Sequence, residues 1–75
     1  NPATQIRFTA EQRGDVRLGL YDLNGRLLRE LFEGEVNAGE TQLVRVEAGD
    51  LPSGTYVVRL DNGNDQASQR ILLVK

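Results

Sequence analysis

The residue types that carry out most enzyme and metal chemistry are scarce in this chain. It contains no histidine and no cysteine, so it offers no imidazole base, no thiolate nucleophile and no zinc site of the usual kind. Ser53 and Ser68 lack the Gly-x-Ser-x-Gly pattern that presents a serine nucleophile. The 11 carboxylates fall in predicted turns or on outward faces, where solvated side chains are the usual case. We therefore expect a protein that is not an enzyme and that holds neither a cofactor nor a metal.

Three short motifs could bind a partner or an ion, but each has a simpler explanation as a turn. Residues 13–15 spell Arg-Gly-Asp, an integrin ligand when displayed at a hairpin tip. These residues fall at a predicted hairpin tip, and adhesion through them is a minor alternative. Residues 51–55, Leu-Pro-Ser-Gly-Thr, are similar to a sortase signal but have Gly54 where that signal has threonine. Residues 61–65, Asp-Asn-Gly-Asn-Asp, lack the distal glutamate that completes a calcium-binding loop.

Charge and hydropathy exclude two classes of partner. The formal net charge of −2 leaves no basic stripe with which to bind nucleic acid or an anionic membrane. No apolar run approaches the roughly 20 residues of a membrane-spanning helix, so no membrane insertion is expected. The chain length suits one small domain, and the start at Asn1-Pro2 instead of a methionine indicates a piece of a longer precursor.

Alternation of apolar and polar residues predicts a succession of β-strands. Every second side chain is apolar in residues 4–10 and 15–22, and the pattern returns in residues 41–48 and 55–61. The run 71–74 is apolar on both faces, which is typical of a strand buried between neighbours. The side chains predicted to face the core are Ile6, Phe8, Ala10, Val16, Leu18, Leu20, Val44, Val46, Ala48, Tyr56, Val58, Leu60 and Ile71 to Val74.

Asn-Gly pairs mark two hairpins. Asn24-Gly25 predicts a type I′ turn, with positive φ at both residues, that closes residues 15–32 into a hairpin. Residues 33–39 are predicted to form a loop, and Asn62-Gly63 turns the chain into the last strand.

A helix is the alternative for the stretch after Gly25. Leu27, Leu28 and Leu31 have helical spacing, but only eight residues separate Gly25 from Gly34 and no N-cap precedes them, which favours a strand. Turn signals at intervals of 8–12 residues then predict an all-β fold. We expect a small antiparallel, immunoglobulin-like β-sandwich of six to seven strands.

The order of the motifs along residues 1–75 resembles a known family. The chain opens with Asn1-Pro2, continues through YDLNGRLLREL, NAGE and LPSGTYVVRL, and closes with RILLVK. Each motif is weak alone, but in this order they resemble the type A C-terminal sorting domain of cargo proteins of the type IX secretion system. The resemblance covers essentially the whole chain as a single domain. It gives structural roles to the motif residues Asn1, Pro2, Tyr21, Asp22, Gly25, Arg26, Leu51, Pro52, Gly54 and Tyr56.

This resemblance implies a secretion address that follows an attached N-terminal cargo domain, in a member of the Bacteroidetes. Such cargo crosses the periplasm and reaches the cell surface or the medium through the type IX secretion machinery. The implied partners are the outer-membrane translocon, which reads the address, and a surface sortase-like protease-transpeptidase, which removes it. The residues that the resemblance assigns to translocon recognition are Arg70, Ile71, Leu72, Leu73, Val74 and Lys75, with arginine at position 70 where the family often has lysine.

Two motif residues also have roles that follow from their chemistry. Asp22 can accept hydrogen bonds from turn amides, and Tyr56 can bury its ring while its hydroxyl reaches the rim of the fold. A different class of function stays open, namely a non-catalytic structural or ligand-binding sandwich such as a hook-capping-like or carbohydrate-binding appendage. Carbohydrate binding would need an exposed aromatic platform, and most of the four aromatic residues are predicted to face inward.

Overall fold

The structure is a computed structural model that describes residues 3–47 and 49–74, so the expectations for Asn1, Pro2, Ala48 and Lys75 lie outside the described residues. The described part of the chain contains six β-strands. They are β1 (Ala3–Thr9), β2 (Gly14–Tyr21), β3 (Leu27–Val36), β4 (Thr41–Glu47), β5 (Gly54–Asp61) and β6 (Gln66–Leu73). Over these residues, no helix is long and apolar enough to cross a membrane.

The strands form two antiparallel sheets. β1 pairs with β4, from Ala3 opposite Glu47 to Thr9 opposite Thr41. The other sheet has four strands in the order β3-β2-β5-β6, with β2 and β5 at its centre. The predicted antiparallel β-sandwich is confirmed, and the six strands of the described residues agree with the predicted number.

The hydrophobic core combines the inward faces of both sheets. Side chains alternate along a strand, so one face of β2, β4 and β5 supplies the core and the other meets solvent. The buried members of the core are Leu18, Leu20, Val44, Val46, Tyr56, Val58 and Leu73. At its margin Phe8 of β1 packs edge-to-face on Phe32 of β3, with the ring centroids 5.8 Å apart. The predicted inward faces of β2, β4 and β5 are therefore confirmed.

Strand β3 extends beyond the predicted hairpin. The prediction of a loop at residues 33–39 is wrong for its first four residues, because Gly14 lies opposite Val36 in the β2–β3 ladder. Val36 is also fully buried, with 1% of its surface exposed. Glycine and glutamates give this segment the composition of a loop, but pairing with the start of β2 and burial of Val36 hold it in the sheet.

Irregular pairing explains the helical spacing of the leucines in β3. The β2–β3 register shifts between residues 18 and 19 and again between residues 20 and 21. A bulge displaces the side chains of one strand relative to its partner, which breaks strict alternation. Leu28, Leu31 and Phe32 consequently all pack against the core although they do not follow a period of two. The strand interpretation of this segment is confirmed and the helix alternative is wrong.

The Arg-Gly-Asp tripeptide does not lie at a hairpin tip. β1 and β2 belong to different sheets, so the segment before Gly14 crosses from one sheet to the other. Gly14 and Asp15 are already the first residues of β2. Arg13 lies beside Glu35 of β3, with Nε 3.6 Å from the carboxylate Oε2. The expected display of this tripeptide at a tip is therefore wrong.

Candidate functional site

Strand β6 carries four of the residues assigned to translocon recognition, Arg70 to Leu73, and it is an edge strand. Val74 follows the strand directly. Within the described residues it pairs with β5 alone, in an unbroken ladder from Gln66 opposite Asp61 to Leu73 opposite Gly54. Its last part was expected to lie between two neighbouring strands, and that prediction is wrong. The sequence pattern fits both situations, because an edge strand with uncovered apolar side chains is also apolar on both faces.

Side chains at the end of β6 alternate between the core and solvent. Leu73 is 3% exposed and belongs to the core, and Ile71 packs against it. Leu72 is 66% exposed and Val74 is 58% exposed. The sequence predicts that Ile71 to Val74 all fill the core. This prediction is correct for Ile71 and Leu73 and wrong for Leu72 and Val74. The strand is anchored through one face and presents apolar groups on the other.

Arg70 lies on the same solvent-facing side as Leu72 and has no partner among the described residues. It forms neither an ion pair nor a hydrogen bond there, and its side chain is exposed. Most other arginines are engaged: Arg13, Arg17, Arg26 and Arg29 pair with carboxylates, and Arg59 lies over an aromatic ring. Among the residues that the structure describes, Arg70 is therefore an unpaired cation beside exposed apolar side chains.

The rim motif at residues 51–56 holds the neighbouring end of β5. The Tyr56 ring is buried, and its hydroxyl donates a 2.6 Å hydrogen bond to the carbonyl oxygen of Pro52. Leu51 packs against the core. Gly54 and Tyr56 lie opposite Leu73 and Ile71 of β6. The motif thus fixes the position of β5, the strand with which the end of β6 pairs.

The β2–β3 hairpin is organised by one carboxylate. Asp22 Oδ1 accepts hydrogen bonds from the backbone N–H groups of Asn24 and Arg26, each at 2.9 Å, and its Oδ2 lies 3.3 Å from Arg26 Nε. These contacts stabilise the ionised carboxylate and lower the pKa of Asp22 below its usual range, with the Arg26 backbone hydrogen bond as the largest cause.

The type I′ assignment of this turn is wrong. Gly25 N–H donates to the carbonyl oxygen of Asp22 at 3.1 Å, and Asp22 N–H donates to that of Arg26 at 3.0 Å. Gly25 has a φ of 89°, whereas no non-glycine in the described residues has a positive φ. A type I′ turn would require a positive φ at Asn24 as well. The geometry matches a three-residue loop in which a type I turn is followed by a glycine bulge.

A cross-strand row connects the hairpin to β6 on the outer face of the four-stranded sheet. Leu27, Tyr21, Val57 and Arg70 lie opposite one another across the four strands. The Arg59 guanidinium lies over the Tyr21 ring, 4.5 Å from its centroid. This row was missed at the sequence level, because alternation gives the face of a residue but not its cross-strand neighbours.

The oxygens of residues 61–65 are directed at their own backbone. Asp61 Oδ1 accepts a 2.7 Å hydrogen bond from Gly63 N–H, and Asn62 Oδ1 accepts from the N–H groups of Asn64 and Asp65. The Gly63 bond is the largest cause of a lowered pKa at Asp61. Over the described residues, no group of three or more carboxylates is placed to hold a metal ion. The segment is a hairpin turn between β5 and β6.

A comparison with known families decides what these elements belong to. The model of a family described as the secretion system C-terminal sorting domain matches residues 1–75, the whole chain. The chain belongs to this family. No curated protein and no solved structure is significantly similar to it.

This sorting domain is a type IX secretion signal, which directs export to the cell surface or the medium. A domain of this kind is a signal and is not itself catalytic. The family match does not favour the alternative of a structural or carbohydrate-binding appendage. The aromatic rings agree with this, because Tyr56 is buried and Arg59 covers Tyr21.

The motif residues of the sorting domain form two groups that both lie next to β5, the neighbour of β6. The hairpin group is Tyr21, Asp22, Gly25 and Arg26, and the rim group is Leu51, Pro52, Gly54 and Tyr56. Tyr21 connects to Arg70 through Val57, and the rim group borders Ile71 and Leu73. The two groups support β5, which in turn supports β6.

Proposed function

We propose that this sorting domain carries an attached N-terminal cargo protein from the periplasm to the outer-membrane translocon of the type IX system. In this proposal residues 1–75 are one domain of a longer precursor, and the translocon reads residues 70–75, a stretch that begins within β6. A surface sortase-like protease-transpeptidase then removes the domain by cutting at or before Asn1, so that cargo remains on the cell surface or enters the medium.

The observation that carries the proposal is the anchored but uncovered end of β6 in a chain that belongs to a secretion-signal family. Leu73 in the core fixes the strand, while the neighbouring Leu72 and Val74 expose apolar side chains to solvent. Arg70 adds a cation without a partner in the described residues. A strand that is paired with β5 and exposes apolar and basic groups is a surface that a receptor can bind.

Export of a fusion tests the proposal directly. Residues 1–75 are placed behind a periplasmic fluorescent reporter, in a host with an intact type IX system and in a matched host without the translocon. We expect the reporter at the surface or in the medium of the intact host alone, with mass spectrometry showing that the domain has been removed. Retention of a folded, uncut fusion in the periplasm of both hosts would contradict the proposal.

A further inference from the structure

We infer that the export machinery binds the sorting domain by adding an extended segment of its own to the open backbone edge of β6. This segment places a carboxylate near Arg70 and apolar side chains near Leu72 and Val74. The inference rests on the proposed function and specifies how the same strand is recognised. Main-chain pairing with an exposed edge is an established mode of peptide recognition, in which side chains add specificity.

The backbone groups of β6 that face the open edge follow from the hairpin register. Asn62 N–H donates to the carbonyl oxygen of Asp65, so residues 62 and 65 form a hydrogen-bonded pair. Hydrogen-bonded and non-hydrogen-bonded pairs alternate along an antiparallel ladder. Counting along the ladder, Ser68, Arg70 and Leu72 belong to non-hydrogen-bonded pairs with β5. Their N–H and C=O groups therefore point away from β5, toward the side where the described residues provide no strand.

The two edges of the four-stranded sheet differ in how they discourage pairing with another chain. Charged side chains and irregular pairing protect edge strands from pairing with other chains. β3 has both, since its ladder contains two register shifts and it carries Arg29, Glu30, Glu33 and Glu35. β6 has an unbroken register, no proline and a single charged residue, Arg70. Of these two edges, the β6 edge is thus the one at which a further strand can pair.

The chemistry of the incoming segment follows from what β6 exposes. Arg70, Leu72 and Val74 all have exposed side chains, and the first has no carboxylate partner in the described chain. A strand laid beside β6 brings its own side chains within contact distance of these three. Complementarity then calls for an acidic residue opposite or diagonal to Arg70 and for aliphatic residues near the end of β6. A second copy of this chain, by contrast, would place another unpaired cation at this edge.

Proline at position 68 separates main-chain pairing from side-chain recognition. The Ser68 N–H points to the open edge, so Ser68→Pro removes a donor without removing a bond to β5. Proline on an edge strand with its nitrogen toward solvent is compatible with a sheet. Ser68→Ala removes the hydroxyl and keeps the N–H, which makes it the matched control. Both variants are made in the reporter fusion, and thermal unfolding of the purified fusion reports whether the domain folds.

We expect wild type and Ser68→Ala to be exported equally and Ser68→Pro to be exported at least tenfold less, with the domain folded. Export of a folded Ser68→Pro variant at the wild-type level would overturn edge pairing while leaving the proposed function intact. Retention of all three proteins in the periplasm would instead overturn the proposed function, and with it this inference. If Ser68→Pro fails to fold, Ser68→Lys/Leu72→Lys replaces it, because both sites are exposed and lysine at an edge opposes strand addition.

Two further experiments identify the segment that pairs with β6. They are the export of Arg70 variants and the oligomeric state of the purified fusion. Arg70→Glu should reduce export at least fivefold and Arg70→Lys should retain it, if the incoming segment carries a carboxylate. Equal export of both variants would remove the acidic residue from the inference. Sedimentation of the purified fusion tests the second copy: a dimer that Ser68→Pro abolishes, together with normal export of that variant, would show that β6 pairs with itself instead.

Discussion

Single polar side chains fix two of the turns of the sorting domain. Asp22 satisfies two backbone N–H groups of the β2–β3 loop, and Tyr56 ties the rim segment to β5 through the carbonyl of Pro52. Both are local contacts in which one side chain replaces water at backbone groups that no strand partner satisfies. Their chemistry is visible in the sequence, since aspartate before a turn and tyrosine in a short strand each have a usual role.

Substitutions at Asp22 separate its charge from its hydrogen bonds. Asp22→Asn keeps an acceptor oxygen for the Asn24 and Arg26 amides, whereas Asp22→Ala removes it. We therefore expect Asp22→Ala to lower Tm by several degrees and Asp22→Asn by less, measured by circular dichroism at pH 7. Equal Tm for the alanine variant and wild type would show that water replaces these bonds without loss.

The lowered pKa of Asp22 also predicts a pH dependence. A carboxyl group whose pKa is lower in the folded state stabilises that state above its unfolded pKa, about 3.9, and loses this contribution as pH falls through the folded value. The Tm difference between wild type and Asp22→Asn should be constant from pH 7 to about pH 5 and should shrink below about pH 4. A difference that stays constant down to pH 2 would contradict this sign.

The hydrogen bond of the Tyr56 hydroxyl gives a quantitative prediction for the free energy of unfolding. Tyr56→Phe keeps the buried ring and removes the 2.6 Å bond to Pro52, which should destabilise the domain by roughly 0.5–1.5 kcal/mol in urea denaturation. Tyr56→Ala removes the ring as well and should cost about 3–5 kcal/mol. That is close to the roughly 3–5 kcal/mol that a core of this size supplies. The alanine variant should therefore be largely unfolded, and a stable one would show that the ring is not a core residue.

At the scale of the strand, β6 is anchored in the core by one face and exposes apolar side chains on the other. Alternation along a strand assigns Leu73 to the core and Leu72 to solvent, although the two residues have the same side chain. The periodicity of the sequence could not reveal this difference, because residues 71–74 are all apolar. Whether such a run lies at the centre or the edge of a sheet depends on strand order, which is set by contacts between distant segments.

These neighbouring leucines give a matched pair of variants. Leu73→Ala should lower the free energy of unfolding by about 2–5 kcal/mol, because it leaves a cavity in the core. Leu72→Ala should change it by less than about 0.5 kcal/mol, as exposed positions usually do. Under the proposed function Leu72→Ala should nevertheless reduce export of the fusion. Destabilisation by Leu72→Ala equal to that by Leu73→Ala would show that the register of β6 is wrong.

At the scale of the whole molecule, the sequence predicts the sandwich because nearly every strand has one apolar face, as β2 and β4 do. It fails where tertiary pairing overrides local composition, as at residues 33–36 of β3. The hairpin position is predictable from Asn24-Gly25, but its type is not, because the Asp22 side chain selects a different loop geometry. For the candidate site, motif order indicates the family, and only the structure separates anchored from exposed residues of β6.

The two sheets share one core, and this predicts that they unfold together. A two-stranded sheet such as β1–β4 is marginal in isolation, and its buried residues Val44 and Val46 belong to the same cluster as Leu20 and Val58 of the four-stranded sheet. Val46→Ala, in a fully buried position of β4, should therefore destabilise both sheets by about 2 kcal/mol. Amide hydrogen exchange measures this, and we expect equal loss of protection in β4 and β5.

Leu43→Ala is the control for this experiment, because Leu43 lies on the same strand with its side chain exposed. It should leave protection in both sheets unchanged. If Val46→Ala weakened protection in β1 and β4 alone, the four-stranded sheet would be stable without its partner. The smaller sheet would then be a cover over the core that can open independently. Equal loss in both sheets would instead mean that β6 keeps its exposed face only as long as the whole sandwich is folded.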